Sequence, residues 1–354
     1  NENWCMIGYH AVPILADAID KGLVVDKTGA LEAMVSSSNL GYYDGIEEYR
    51  SLGYVPYDRS PSGSSITLEY AYDDWTIYRT ALAVGDVGMA ETYRQRALNY
   101  RNVFDPSLRF VRARGSDGSW KEPFSLLDTH GQGFIEGNSW NYSFYVPHDV
   151  KGLIEQMGGD KIFVERLDSL FTMHLPDEFF ENTEDVTREG IMGNYVHGNE
   201  PSHHIAYLYA WTSQPWKTQY WVREIMDRMY LNSIDGLCGN DDCGQMSAWY
   251  IFSAMGFYPV CPGSDQYILG APYMPYMKVD VGEGRYLEIK AQGVSAKNRY
   301  VKAVKLNGRL YTKAYITYDD IKDGAELVFE MTSKPFTKRT YADREKPYTI
   351  SDIP

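Results

Sequence analysis

The hydrophobic period of this chain changes once, near residue 262, and that change limits the folds open to it. Before it, apolar residues recur at helical spacing over residues 65–84 (SITLEYAYDDWTIYRTALAV), which stop before Gly85. The same spacing returns over 87–102, 160–173, 202–213, 217–232 and 245–255. After it, the segments YILGA, YMKVDV, YLEIKAQ, YVKAVKL and AELVFEM alternate as strands do. Leu306-Asn307-Gly308-Arg309 reads as a two-residue hairpin, because Asn-Gly tolerates the positive φ of a type I′ turn. The chain should therefore be mainly helical over residues 1–262, with a small antiparallel β region over 263–354 and a boundary at Pro262-Gly263-Ser264. Helices joined by Gly- and Pro-containing loops without strands between them suggest a toroid or a bundle, and no internal repeat marks a solenoid. The strand edges need cover, from the helical portion or from something outside this sequence.

Composition narrows the function. At 354 residues, 44% of them hydrophobic, the chain can bury a large core. Asp and Glu number 48 against 34 Lys and Arg, a net charge of −14 that argues against nucleic acid or an anionic membrane as partner. No apolar run reaches 18 residues, so no transmembrane helix is expected. The opening NENWCMIGYH reads as mid-domain sequence, without a signal peptide, as in a mature or truncated product. Cys238 and Cys243 stand in a C-x4-C spacing that matches no zinc motif, and with Cys5 and Cys261 they leave a disulfide open but not required. Aromatic residues make up 14%; most should fill the core, while a minority could line a cleft and stack on the C–H faces of sugars.

Three loop-like stretches place carboxylates beside Gly, Asn and aromatic residues, each ahead of a helical segment. In Gly133-Phe134-Ile135-Glu136-Gly137-Asn138-Ser139-Trp140, Glu136 sits among apolar side chains, which would favour its protonated form as a general acid needs. On that stretch alone, a helix N-terminus near Asn138 is the better explanation for the acid. In His197-Gly198-Asn199-Glu200-Pro201-Ser202-His203-His204, Pro201 suits a first helical position. Three histidines and a glutamate invite zinc, but HExxH is absent and Pro201 breaks any shared face, so an oxygen-rich loop suits a hard cation such as calcium better. A capped helix start with hydrogen-bonding histidines explains the stretch equally well. In Asp235-Gly236-Leu237-Cys238-Gly239-Asn240-Asp241-Asp242-Cys243-Gly244-Gln245, adjacent carboxylates need compensation, and Asp242 capping the helix near Gln245 is the commoner reading. A fourth stretch, Glu69 to Trp75, holds Asp73 and Asp74 beside Trp75; these could meet sugar hydroxyls or form a solvated acidic face. Glu136 and Asp242 together could supply the two carboxylates of glycoside hydrolysis.

At these same residues the chain resembles glycoside hydrolase family 92, the calcium-dependent α-mannosidases. The resemblance runs nearly end to end through CMIGYHAVPILADA, TLEYAYDDW, EGNSWNYSFYVPHDV, GNEPSHHIAYLY and GNDDCGQMSAWYIFSAMGFYPVCPGS. It implies an (α/α)6 barrel, partial in this chain, and a C-terminal β region that packs with an N-terminal β-sandwich present in longer relatives. It also implies inverting hydrolysis of terminal α-linked mannose from oligosaccharides or glycoproteins. Glu136 looks like the family's acid and Asp242 its base, with Asp241 ranked below because the acidic residue usual two positions before the base is Asn240 here. Calcium would contact the sugar's O2 and O3, with Asn199 and Glu200 as ligands. Substrate contacts are expected from Trp140, Asp74, Trp75, His148, Asp149, His203, His204 and Asn240. Members that cleave mannose from phosphate carry Gln where Glu136 stands, so Glu favours ordinary mannosides. The resemblance implies a secreted, periplasmic or cell-surface bacterial protein, of which this chain is one fragment of a cleaved or truncated product or is completed by a second fragment carrying the N-terminal part. The competing readings are a non-catalytic mannose-binding fragment and a different toroidal glycosidase or lyase.

Overall fold

The computed structural model describes residues 6–176 and 188–352; Cys5 lies outside them. The chain divides into two compact units. Of the described residues, the first runs through Gly159 and takes in 174–176 and Pro262–Ser264; the second takes Asp160–Met173, 188–261 and the chain from Asp265 on. The change of period at 262 is thus a change of secondary structure, while α-helices beyond 160 cluster with the C-terminal strands.

The first unit holds α1 (Ala11–Asp20), α2 (Lys27–Ser37), α3 (Ile46–Leu52), α4 (Gly63–Val84), α5 (Val87–Ala97), α6 (Ser139–Tyr142) and α7 (Val150–Gln156). It also holds a short hairpin of β1 (Phe104–Asp105) and β2 (Phe110–Val111). Asp26 and Asp86 start α2 and α5 by accepting the backbone N–H of Gly29 and Met89. Gly85, at φ 82°, ends α4 in the left-handed conformation that glycine adopts cheaply. The predicted 87–102 segment breaks at Leu98, where α5 gives way to a 3-10 helix, Asn99–Val103. α4 is the centre of the unit: it packs against α1, α2 and α5. Nearly all of its 22 residues are buried, including Glu69, Asp73 and Asp74. The acidic pair is therefore not a solvated face.

The second unit holds α8 (Asp160–Thr172), α9 (Trp216–Met229), α10 (Gln245–Met255) and α11 (Tyr318–Ile321). Residues 202–213 are not the α-helix their spacing predicts. They form 3-10 segments, Glu200–Ser202 and Ile205–Trp211. Every residue of Ile205–Trp211 is buried, so no polar face was present to define a helical period.

The strands are β3 (Ile191–Met192), β4 (Tyr195–Val196), β5 (Phe257–Tyr258), β6 (Gln266–Leu269), β7 (Tyr276–Gly282), β8 (Arg285–Gln292), β9 (Tyr300–Leu306), β10 (Arg309–Tyr311), β11 (Tyr315–Thr317) and β12 (Ala325–Thr332). They form a five-stranded sheet in the order β10-β9-β12-β8-β7, a three-stranded sheet β11-β6-β5 and the β3-β4 pair. The predicted hairpin is present: Leu306 pairs with Arg309, and Asn307 and Gly308 sit at φ 50° and 75°. The expected purely antiparallel region is corrected in one respect, because β12 runs parallel to β8 while antiparallel to β9. A strand inserted between two oppositely directed strands must run parallel to one of them. Leu287, Ile289, Val304, Leu327 and Phe329 of this sheet share a core with Met255 and Phe257. Among the described residues, no helix is long and apolar enough to cross a membrane.

Candidate active site

In the first unit, the Glu136 loop is seated on the N-terminus of α4. The carbonyl of Gly133 accepts from the N–H of Ser64 at 3.0 Å and of Ser65 at 3.3 Å. The Ile135 N–H donates to Ser65 Oγ at 3.2 Å. Gly133 has φ 99°, and a Cβ there would lie 2.7 Å from that of Ala113, so only glycine fits. Glu136 itself has φ 50°. A non-glycine residue in this region is uncommon, and such strain gathers at functional sites. The adjacent cap is made by Asn138, whose side chain accepts from the Asn141 N–H while Asn141 returns the bond, each at 3.1 Å. Since α6 is only four residues long and Asn138 serves it, complementing that helix does not account for Glu136. The expected apolar wall does not enclose the carboxylate: Glu136 is exposed, while its aromatic neighbours pair with other rings, Phe134 on Tyr142 and Trp140 on Phe110 with centroids 4.7 Å apart.

In the second unit, the structure brings the His197–His204 stretch and the Asp235–Gln245 stretch together. A Cβ on Gly239 would stand 2.6 Å from the carbonyl oxygen of Gly198, so the two loops touch backbone to backbone. Trp249 of α10 donates to the His203 carbonyl at 2.9 Å, and Gln245 reaches His203 Nδ1 at 3.2 Å. His203 Nε2 bonds the His197 carbonyl at 2.9 Å, so Nε2 carries the hydrogen and Nδ1 accepts. His197 is held between the hydroxyls of Tyr195 and Tyr230, both at 2.7 Å. Burial depresses both rings: His203 to about 4, His197 well below its usual range. They are neutral scaffolding, although His203 senses the nearby charge of Asp242. His204 is buried too.

The two aspartates of this loop have different jobs. Asp241, not Asp242, serves α10: its Oδ1 accepts from the N–H and hydroxyl of Ser247 at 3.0 and 2.9 Å. Asp242 is exposed at φ 44°, and its carboxylate has no hydrogen-bond or ion-pair partner among the described residues. Sequence spacing pointed to Asp242 as the cap, because a cap six residues upstream, across a left-handed turn, has no signature. Asn240 is exposed beside them.

The remaining predicted substrate contacts are engaged elsewhere. Asp74 is fully buried and accepts from Tyr9 at 2.7 Å, Tyr49 at 3.0 Å and Arg96 at 2.7 Å. Burial raises its carboxyl to about 6, and Arg96 with the two phenols keeps it ionised at neutral pH. Asp149 caps α7 through the Gly152 N–H and binds Tyr100 and Arg101. His148 bonds the Ala97 carbonyl at 2.8 Å and packs among Tyr72, Trp75 and Tyr100, with burial lowering it to about 4. Trp75 is buried in the same stack. Sequence reasoning missed His10, which joins Asp73 at 2.7 Å to Glu69 at 3.0 Å. The i,i+4 spacing of Glu69 and Asp73 on one helical face was the available signal.

A family model described as the glycosyl hydrolase family 92 catalytic domain matches residues 1–333. The chain belongs to glycoside hydrolase family 92. Among solved family 92 structures, it resembles an α-mannosidase of Bacteroides thetaiotaomicron in complex with mannoimidazole, at 44% identity and TM-score 0.94, covering 99% of this chain and 47% of that one. A family 92 inverting mannosidase of the same species matches at 39% identity and TM-score 0.90, covering 99% and 49%. A protein of Arthroderma benhamiae described as an uncharacterized secreted glycosidase is 26% identical, covering 90% of this chain and 44% of its own length. The chain thus spans under half the length of these relatives.

For the calcium that family 92 implies, the donor set is informative. Both ring nitrogens of His197 and of His203 are occupied by protein partners, which removes the zinc reading of that stretch. Among the described residues, no group of three or more His, Cys, Asp or Glu is arranged so that it could hold a metal ion. What the loop offers is oxygen: the side chains of Glu200 and Asn199 at the start of a 3-10 turn. Calcium accepts such a mixed set of carboxylate, amide, carbonyl and water oxygens.

Proposed function

We infer that this chain is the catalytic part of an inverting exo-α-mannosidase that releases terminal α-linked mannose from oligosaccharides or glycoproteins. The observation that carries the reading is shared by both candidate carboxylates. Each stands on a left-handed backbone beside a helix start, and in each loop a different residue does the capping. Solved relatives described as α-mannosidases, one of them inverting, support the substrate and the stereochemistry. The full architecture is that of an (α/α)6 barrel, with the C-terminal β region packing against the N-terminal β-sandwich of the longer protein. A secreted protein agrees with the relative described as a secreted glycosidase, and a bacterial periplasm or cell surface is the location this reading assigns.

In the reaction, Glu136 gives its proton to the glycosidic oxygen as the C1–O bond breaks. Asp242 takes a proton from water, whose oxygen attacks C1 from the opposite face, and the configuration inverts. Phe134 and Trp140 pack the loop that carries the acid, and both Glu136 and Asp242 are exposed, the first open to a substrate oxygen and the second to water. Asn199 and Glu200 would hold the calcium, which supplies orientation of the sugar hydroxyls when bound. EDTA should abolish mannose release by the full-length protein and added calcium should restore it; full activity in chelator would remove the metal from the scheme. The product's first-formed anomer, read by NMR, should be β.

The second reading, a mannose-binding fragment without catalysis, is favoured by one fact, that the chain spans under half of its relatives. Assays of this segment alone and of the full-length protein separate the two.

A further inference from the structure

The geometry points to Asp241 as a positioning residue for Asp242, rather than as a second base. The inference rests on the reading of Asp242 as the base. α10 begins at Gln245, and Gly244, at the capping position before it, has no side chain to cap it. Asp241 supplies the missing bonds from three residues upstream. Its carboxylate binds the N–H and hydroxyl of Ser247, and its carbonyl accepts from the N–H of Gly244 at 3.1 Å and of Met246 at 3.3 Å. Asp241 is therefore tied on both its main chain and its side chain to the first turn of an 11-residue helix.

The three residues between those ties have little freedom. Asp242, Cys243 and Gly244 take φ of 44°, 56° and 95°, successive left-handed conformations that two non-glycine residues adopt only under constraint. The resulting turn projects the Asp242 carboxylate into solvent, with its own carbonyl taken by the Gln245 N–H at 3.2 Å. Without the Asp241 anchor, the turn would relax toward right-handed conformations and carry the base away from its water. Ser247 is part of the same device, because its hydroxyl and N–H are both spent on Asp241.

The test separates the cap from the charge and from the base. Asp241→Asn keeps the Oδ1 acceptor and loses the charge; Asp241→Ala loses both. In the full-length protein, Asp241→Ala should lower kcat about 10- to 100-fold with KM nearly unchanged, since about 1 Å of misplacement costs that much. Asp241→Asn should stay within about three-fold of the parent, and Ser247→Ala, which removes one bond only, should lose about two- to five-fold. Equal damage from Asn and Ala would assign Asp241 a charge or base role and overturn the inference. Full activity in Asp241→Ala would overturn it too. The alkylation rate of exposed Cys243 reads the turn without reference to activity. It should change in Asp241→Ala and not in Asp241→Asn, and Ser247→Ala provides the same readout if Asp241→Ala does not fold. An unchanged rate throughout overturns the inference. Undiminished activity of Asp242→Asn, by contrast, removes the base reading alone, leaving the alkylation result to judge the turn.

Discussion

The loop of Glu136 and the loop of Asp242 solve one problem with different materials. In the first, a glycine carbonyl is clamped by the opening N–H groups of α4, and aromatic rings crowd the acid's neighbours. In the second, the anchor is a carboxylate reaching into α10, and the projecting acid has no protein partner among the described residues. Both carboxylates are exposed, so what differs is how each loop is held and which proton each acid is proposed to move.

Removing either carboxylate tests the contrast most directly. Asp242→Asn should lower kcat about 10²- to 10⁴-fold for every substrate, because water activation is needed whatever leaves. Glu136→Gln should cost as much on natural mannosides but far less on an aryl mannoside whose phenolate departs without a proton. Kinetics on the two substrates would break the comparison if both variants responded alike.

A milder perturbation is Gly133→Ala. The new methyl would meet Ala113 and Ser64 at a left-handed residue, so the clamp on α4 must shift. Destabilisation of about 1–3 kcal/mol is expected in urea unfolding, with a fall in kcat that Asp242-loop variants do not share. An unperturbed protein would show that the Glu136 loop is held by something other than that clamp.

Much of this is legible in the amino-acid sequence, for reasons that differ by region. The segment 245–255 was read to the residue, since Gly244 and Gly256 punctuate it at both ends. The Asn307-Gly308 turn was equally plain, because its residue types satisfy a backbone requirement. Residues 205–211 were misread as α-helix because uniform burial erases periodicity. The parallel β8-β12 pair was hidden because register between distant strands is set by tertiary packing. In the site, the residue types of the carboxylate loops were visible, but burial was not. Asp74, His148 and Asp149 look like polar contacts in sequence, yet each is consumed by a buried network. The division of labour between Asp241 and Asp242 depends on three backbone angles that no residue type announces.

The two units should also differ in acid. His148 and His203 are each lowered to about 4 by burial, against about 6.5 in the unfolded chain. Each neutral ring thus contributes stability that is complete above about pH 6.5 and lost as pH falls toward 4. His10, in the first unit, runs the other way: Asp73 and Glu69 outweigh the burial penalty and raise it. Its contribution is present below about pH 6.5 and fades as pH rises through its raised value. The first unit therefore has a compensating group, while the second adds His197, also lowered by burial. Hydrogen exchange at pH 7 and pH 5 should show larger loss of protection in the second unit. Equal loss would mean that His10 gives no such compensation.

The smallest expected effect isolates backbone strain from chemistry. Cys243 is exposed, and it holds φ 56° between the proposed base and Gly244. Glycine relieves the left-handed strain, worth about 1–2 kcal/mol, but frees the unfolded chain by up to about 1 kcal/mol. Cys243→Gly should therefore be stabilising by about 0–1 kcal/mol. If Asp241 holds the turn, kcat should also survive, because the ties to α10 flank the substituted residue and do not pass through its side chain. A stable variant with a large loss of kcat would show that the side chain at 243, not the anchor at Asp241, sets the direction of Asp242.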